Sequence, residues 1–267
     1  MGELVIDYSF AHPNPAAIRG AGYLGAMRYL SNEPAKDLTP AELLALHALG
    51  FEVGLVWEAG ATDELGGGPV GTSEATLANR MADALGWPAS RPVYYAADFA
   101  ASGQQLAVVA DYLRAAGRQK RPAGIYGSIA TVDTMLAEGI CLWGWQTSAW
   151  SNGRVSAHAQ LYQRQRPTLA IAGAGTGSFD ENVALAADWG GWNGTTAAAP
   201  TGSPPSTLGK DDDMVIIRQS NGAAWLIAGS KAVGIPDGAD LNALHAAGVG
   251  VAQVTDAFAT QLRNTLV

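Results

Sequence analysis

Val93-Tyr94-Tyr95-Ala96-Ala97-Asp98 is an apolar, strand-like run that ends in a carboxylate. The pattern recurs: Leu4-Val5-Ile6 runs into Asp7, and Val53-Gly54-Leu55-Val56-Trp57 runs into Glu58. In a parallel α/β barrel the carboxyl ends of the strands converge on one face, so acids far apart in sequence meet at one mouth. Asp180, beside Glu181, is a fourth candidate for that mouth.

Outward from these runs, strand-like and helix-like segments alternate through about the first 190 residues, the order of βα units around a parallel sheet. Strands are expected near 4–7, 26–30, 52–58, 92–98, 123–126, 142–146, 159–163 and 178–180. Thr39-Pro40-Ala41-Glu42 predicts a helix start, with Thr39 as N-cap, Pro40 in the first turn and Glu42 as the capping-box acid. Leu43, Leu44, Leu46 and Leu49 form its apolar face and Gly50 ends it. Gly66-Gly67-Gly68 reads as loop, followed by helices over about 73–85, 102–116 and 131–137. Together these predict an α/β fold, a TIM-like (β/α)8 barrel whose last two units are irregular.

Composition changes after residue 192. Residues 193–213 are small and polar with Pro200, Pro204, Pro205 and the Asp211-Asp212-Asp213 cluster, a linker by composition. Val215–Gln219 and Ala224–Ile227 flank Asn221-Gly222, a hairpin signal. With a strand near 231–235 and helices near 240–247 and 256–266, residues 214–267 form a small C-terminal α+β module. The expected domains are therefore 1–192, the linker 193–213 and the module 214–267.

Charge narrows the chemistry. A net charge of −8 and a pI of about 4.9 give no basic surface for phosphates, so nucleic acid is not an expected partner. No apolar run approaches the roughly 18 residues of a membrane span, and no signal peptide is visible at the N-terminus. Synthesis in a host cytoplasm without a signal is the expectation, with delivery to the cell wall by release or in a virion. Cys141 is the only cysteine and sits in an apolar run, so it reads as a buried, inert thiol. His12, His47, His158 and His245 lack metal-ligand spacing, and neither a Walker loop nor a nucleophile elbow is present. No metal or organic cofactor is implied.

Paired carboxyl groups are what glycoside hydrolysis commonly requires: one protonates the leaving oxygen and the other acts as nucleophile or base. Asp7, Glu58, Asp98 and Asp180 supply them. Glu58 is the expected general acid, its pKa raised by burial against Trp57 and by neighbouring acids, while Asp98 stays ionised. Aromatic residues collect near the same strand ends: Tyr8, Phe10, Tyr29, Trp57, Tyr95, Phe99, Tyr126, Trp143, Trp145, Trp150 and Tyr162. Flat aromatic rings suit the apolar faces of sugars. Tyr29, Trp57, Tyr95, Tyr126 and Trp145 are the expected sugar-binding aromatics, with Gln146 and Gln163 positioning a sugar or a carboxylate.

Arg28-Tyr29-Leu30, Leu55-Val56-Trp57-Glu58, Pro92 to Phe99, Gly124 to Ser128, Trp145 to Trp150, Leu161-Tyr162-Gln163 and Asp180-Glu181-Asn182 occur in order. Together they resemble the glycoside hydrolase-like domain of actinobacterial secreted proteins and of lysins of their phages, which is similar to the family 25 muramidases. The resemblance covers about residues 3–192. It implies a TIM-like barrel with Asp7, Glu58, Asp98 and Asp180 lining the pocket, and bacterial peptidoglycan as substrate. This sequence departs from the relatives' Asp-Phe-Asp at the fourth strand, where Asp98-Phe99 is followed by Ala100. Residues 214–267 resemble small modules of actinophage lysins and virion proteins, on a pattern around Trp225 and Ile235-Pro236-Asp237, which implies attachment to wall or to other virion proteins. The expected function is a phage-type lysin cleaving peptidoglycan glycan strands. The alternative is a non-catalytic carbohydrate-binding or virion structural protein that has kept the barrel.

Overall fold

The computed structural model describes residues 2–164, 169–175 and 178–195, and the backbone of four later strands. The chain divides into two compact units, Met1–Ala197 and Ala198–Val267.

In the first unit eight strands close a barrel in sequence order: β1 (Leu4–Asp7), β2 (Gly25–Leu30), β3 (Glu52–Trp57), β4 (Val93–Ala96), β5 (Ala123–Gly127), β6 (Trp143–Thr147), β7 (Leu161–Arg164) and β8 (Asp180–Ala184). β1 to β7 run parallel, each bonded to the next. β8 is antiparallel to both β7 and β1. The eighth strand thus begins at Asp180, where the sequence pattern has it ending. Five helices wrap the barrel among the described residues: α1 (Pro15–Gly20), α2 (Pro40–Ala48), α3 (Gly67–Ala84), α4 (Gln104–Gly117) and α5 (Ile129–Ala137). The β6 to β7 connection contains no helix. The irregularity expected of the last two units therefore takes the form of a mixed barrel with a missing helix.

Successive strand residues point to opposite sides. Val5, Met27, Val56, Tyr94, Ala96, Trp145 and Leu161 fill the barrel interior over Trp189, which follows β8. The Tyr94 hydroxyl donates to the Trp189 carbonyl oxygen at 2.6 Å. Gly54 leaves room for this plug, since a Cβ there would lie 2.8 Å from the Trp189 ring. The alternate residues, Ile6, Ala26, Leu55, Trp57, Val93, Tyr95 and Ile125, form the layer between barrel and helices. Cys141 is buried, and burial pushes its thiol up to about 12.

α3 starts earlier than its apolar spacing predicts. Gly67, at φ +62°, takes the chain from a 3-10 turn (Asp63–Gly66) into the helix, and Pro69 occupies the first turn, where no amide proton is needed. A Cβ on Gly71 would sit 2.3 Å from the Tyr112 carbonyl oxygen, so α3 and α4 touch backbone to backbone.

α2 begins as expected, with the Thr39 hydroxyl accepting from the Glu42 amide at 3.1 Å. The other half of the capping box is absent because Glu42 is engaged elsewhere. Its Oε1 accepts from Arg28 Nε at 2.6 Å and from the Tyr8 hydroxyl at 2.9 Å, and its Oε2 from Arg28 Nη2 at 3.3 Å. His12 Nδ1 lies 2.9 Å from Oε2. Arg28 is fully buried in β2, stacks 4.2 Å over the Tyr8 ring and donates to the Tyr8 carbonyl. Burial alone would push the Glu42 carboxyl up, but its bonds to Arg28, His12 and Tyr8 more than reverse this and leave it below its ordinary value.

In the second unit β9 (Met214–Arg218), β10 (Ala224–Ala228), β11 (Lys231–Ile235) and β12 (Gly250–Gln253) form a sheet in the order β11-β10-β9-β12. β9 and β10 pair antiparallel on either side of Asn221-Gly222, and β12 joins β9 in parallel. The helices expected near 240–247 and 256–266, and most of the 193–213 linker, lie outside the described residues.

Removing Glu42 leaves the Arg28 charge buried and unmatched. Glu42→Ala is expected to lower unfolding free energy by about 3–5 kcal/mol. Urea denaturation of parent and variant at pH 7 measures it, and a change below about 1 kcal/mol is the size of an exposed pair instead.

Candidate active site

A cavity of about 300 Å³ opens at the barrel mouth. Its acids come from three strand ends: Glu58 follows β3, Asp98 lies just beyond β4, and Asp180 begins β8. Val56 and Ala96, two residues before Glu58 and Asp98 and so on the same face, form wall below them. Tyr29, Tyr126 and Trp145 supply the aromatic surface, with the last two rings 4.5 Å apart and tilted by 60°. Gln163, Thr147, Ser148, Ala149 and Arg164 complete the far side.

Asp7 lies beneath this cavity, only 2% exposed. Its Oδ2 accepts from Asn182 Nδ2 at 2.7 Å and from Gln163 Nε2 at 3.1 Å. Both amides are oriented from behind by groups that donate. The Trp145 indole N–H donates to Asn182 Oδ1 at 2.7 Å, and the Tyr126 hydroxyl donates to Gln163 Oε1 at 2.8 Å. The pocket aromatics therefore aim two N–H donors at one carboxylate. Across the β1–β8 pairing, Asp7 stands directly opposite Asp180. Loss of water and the facing Asp180 charge outweigh the two amide bonds, so the Asp7 carboxyl is pushed up to about 7.

The remaining acids differ in setting. Asp98 is exposed at the rim, and its carboxyl is raised by partial burial and then by the Glu58 charge. Burial also raises Asp180. Glu58 pairs with Lys36, Oε1 to Nζ at 2.9 Å. Lys36 comes from the loop after β2, and its ammonium lies 4.7 Å from the Tyr29 ring centroid. Tyr29 is held well above its ordinary value by burial and by Asp7, Glu58, Tyr126 and Asp180 around it.

Three expected sugar contacts are not in the cavity. Trp57 is 1% exposed and faces the barrel–helix layer, because a strand turns the residue before Glu58 to the opposite side. The burial of Glu58 against Trp57 is therefore not what the fold provides; Glu58 meets Lys36 instead. Tyr95 lies in the same outer layer, its ring 5.6 Å from that of Tyr112. Gln146, fully buried, donates to the Arg154 carbonyl at 2.8 Å and accepts from the Ser156 amide at 2.7 Å, stapling the loop after β6. Tyr29, Tyr126, Trp145 and Gln163 are in the cavity as expected. Sequence reading missed Lys36, Arg164 and Asn182. Asn182 was findable, since it shares a strand face with Asp180, whereas the position of Lys36 carries no local signal.

A family model described as "Rv2525c-like, glycoside hydrolase-like domain" matches residues 16–197, more than half of the chain. The chain belongs to this family. Within it, the candidate peptidoglycan hydrolase Rv2525c of Mycobacterium tuberculosis is 27% identical over 205 residues, 70% of this chain and 83% of that protein. The crystal structure of the Tat-secreted Rv2525c with L-tartrate is similar at a TM-score of 0.66 and 25% identity, covering 72% of this chain and all of that one. The modular autolysin LytC of Streptococcus pneumoniae shares the fold alone, at 14% identity and a TM-score of 0.50 over 68% of this chain and 46% of its own. The family relative corrects the expected localisation. Rv2525c is Tat-secreted, which overturns the expectation of a cytoplasmic product made without a signal.

Because the folded Asp7 carboxyl keeps its proton to higher pH than the unfolded chain does, its contribution is fully present below about pH 4 and is lost as pH rises through about 7. Asp7→Asn keeps an oxygen for both amide donors and removes the titration. Stability of the variant, followed by thermal denaturation, is expected to fall less than the parent's between pH 4 and 8; identical profiles would place the Asp7 carboxyl outside this role.

Proposed function

We propose that the barrel hydrolyses glycosidic bonds in the glycan strands of bacterial peptidoglycan, with Asp98 as proton donor and the lysine-paired Glu58 as the second carboxyl group. The observation that carries this reading is the division of the mouth acids. One carboxylate is matched by a lysine, and the acid on the next strand is shifted toward keeping its proton. The lysine contact on one carboxyl group and the partial burial of the other are the asymmetry from which the acid and base roles are assigned. The roles are reversed from those read in the sequence because Lys36, not Trp57, is the neighbour of Glu58. Tyr29, Tyr126 and Trp145 present the ring surface that a sugar face packs on.

In this mechanism the bond from the anomeric carbon to the bridging oxygen breaks as Asp98 gives that oxygen its proton. Glu58 stabilises the positive charge on the sugar, water adds its hydroxide to the anomeric carbon, and the remaining proton restores Asp98. Asp180, opposite Asp7 across the β1–β8 pairing, lines the same cavity. Asp7 sets the direction of the Gln163 amide, whose other end faces Tyr126. The wall polymer as substrate is supported by the name of the mycobacterial relative. The phage-type part of the reading, with 214–267 as an attachment module, rests on the pattern around Trp225 and Ile235-Pro236-Asp237.

A silent, sugar-binding barrel is the second reading, and Ala100 is the observation that favours it. Wall turbidity followed by mass analysis of released muropeptides separates the two. New reducing ends are expected from the parent, with Asp98→Asn and Glu58→Gln each slower by about 10²–10⁴-fold. Cleavage at the parent rate by both variants sinks the role assignment. Binding of wall without new reducing ends, together with cleavage gained in Ala100→Asp, establishes the silent reading.

A further inference from the structure

Trp150 is an apolar side chain held in water by a backbone that resists it. It is 45% exposed, whereas every other tryptophan among the described side chains is buried or half-buried. Its φ of +52° lies in the left-handed region, where a Cβ is crowded and bulky residues are rare. The loop imposes this conformation. Ser151, fully buried, accepts from the Ile129 amide at 3.0 Å through its hydroxyl, which donates to the Thr147 carbonyl at 2.7 Å. Ser151 N–H bonds the Ser148 carbonyl at 3.3 Å, and the Gln146 amide ties down Arg154 and Ser156 beyond it. A strained residue persists only where its surroundings over-determine it, and such places concentrate at binding sites. This loop is also part of the cavity: Thr147, Ser148 and Ala149 line it, and Trp150 is the next residue in the chain.

We propose that Trp150 is a stacking platform for a pyranose ring, a subsite next to the acid pocket that holds the glycan strand one or more sugars from the bond between Asp98 and Glu58. The occupant is a sugar face, because the residues that lead from the cavity to Trp150 are Thr147, Ser148 and Ala149, hydroxyl and methyl groups, and Arg164 is the charged side chain on that side of the cavity. A sugar ring covers an indole with its axial C–H groups, removing apolar surface from water on both sides. The rigid loop means the platform is formed before the sugar arrives, so little ordering is lost on binding. This subsite rests on the glycan reading of the pocket but does not need the bond to be cut. It contributes only to ligands long enough to span pocket and rim.

The test uses the full chain with the hexamer and the dimer of β-1,4-linked N-acetylglucosamine, followed by intrinsic tryptophan fluorescence and by calorimetry. The parent is expected to bind the hexamer more tightly than the dimer, with a blue shift in emission as the exposed indole is covered. Trp150→Ala should lose about tenfold in hexamer affinity, little in dimer affinity, and the blue shift. Trp150→Phe, which keeps a ring, should recover most of the affinity. Leu142→Ala removes a 71% exposed side chain from the opposite end of the barrel, where β6 begins, and should leave binding unchanged. Circular dichroism confirms that each variant is folded. Equal hexamer affinity in parent and Trp150→Ala, or no advantage of Trp150→Phe over Trp150→Ala, overturns the proposal, as does a parent that binds neither oligomer. Trp150-dependent binding without muropeptide release refutes the hydrolytic reading alone; muropeptide release with an unchanged KM in Trp150→Ala refutes the subsite alone.

Discussion

The antiparallel entry of β8 is the constraint on which the site depends. Seven parallel strands leave two open edges, and unpaired edge groups must be bonded or covered. β8 bonds both edges at once, pairing with β7 on one side and β1 on the other. Because it runs the opposite way, its first residue is at the mouth, where the other strands have their last. Asp180 is therefore opposite Asp7, and Asn182, one inward-facing step deeper, reaches Asp7, Val5 and the Trp145 indole. Barrel closure and the gathering of the acids are one event.

Putting several carboxyl groups at one mouth has a cost, and the structure offsets it differently for each. Lys36 neutralises Glu58, while the buried Asp7 leans toward keeping its proton even with two amide donors directed at it. The donors are fixed by geometry, since an indole nitrogen can only donate and so determines which end of Asn182 faces the acid. The aromatic residues of the cavity thus both line its wall and orient the amides behind it. Arg28 and Glu42 form a separate, outward-facing ion pair that ties β2 to α2 and holds the segment beyond β1 through Tyr8.

Much of the barrel was legible in the strand runs, and so was the end of the barrel at which the acids gather. Glu58, Asp98 and Asp7 end their runs on the inward face. The strand period that places them there also places Trp57 and Tyr95 outside, so these two aromatics were misread although the information was local. The helix at Thr39 was legible from its cap, but the partner of Glu42 was not, because Arg28 comes from the preceding strand, β2, and outcompetes the capping bond. Gly67 and Gly68 were read as loop; with only the following apolar spacing to go on, the turn of helix that packs glycine against α4 is invisible.

The sequence by itself determined the alternation of inward and outward residues, the acids at the strand ends and the family, because a strand's period and an ordered set of motifs are local properties of the chain. Tertiary structure decided the direction of β8, the pairing of Lys36 with Glu58 and the placing of Asn182 and Gln163 on Asp7. Each of these joins residues distant in sequence, and the protonation of a carboxyl group follows from the water, charges and donors around it rather than from its neighbours along the chain.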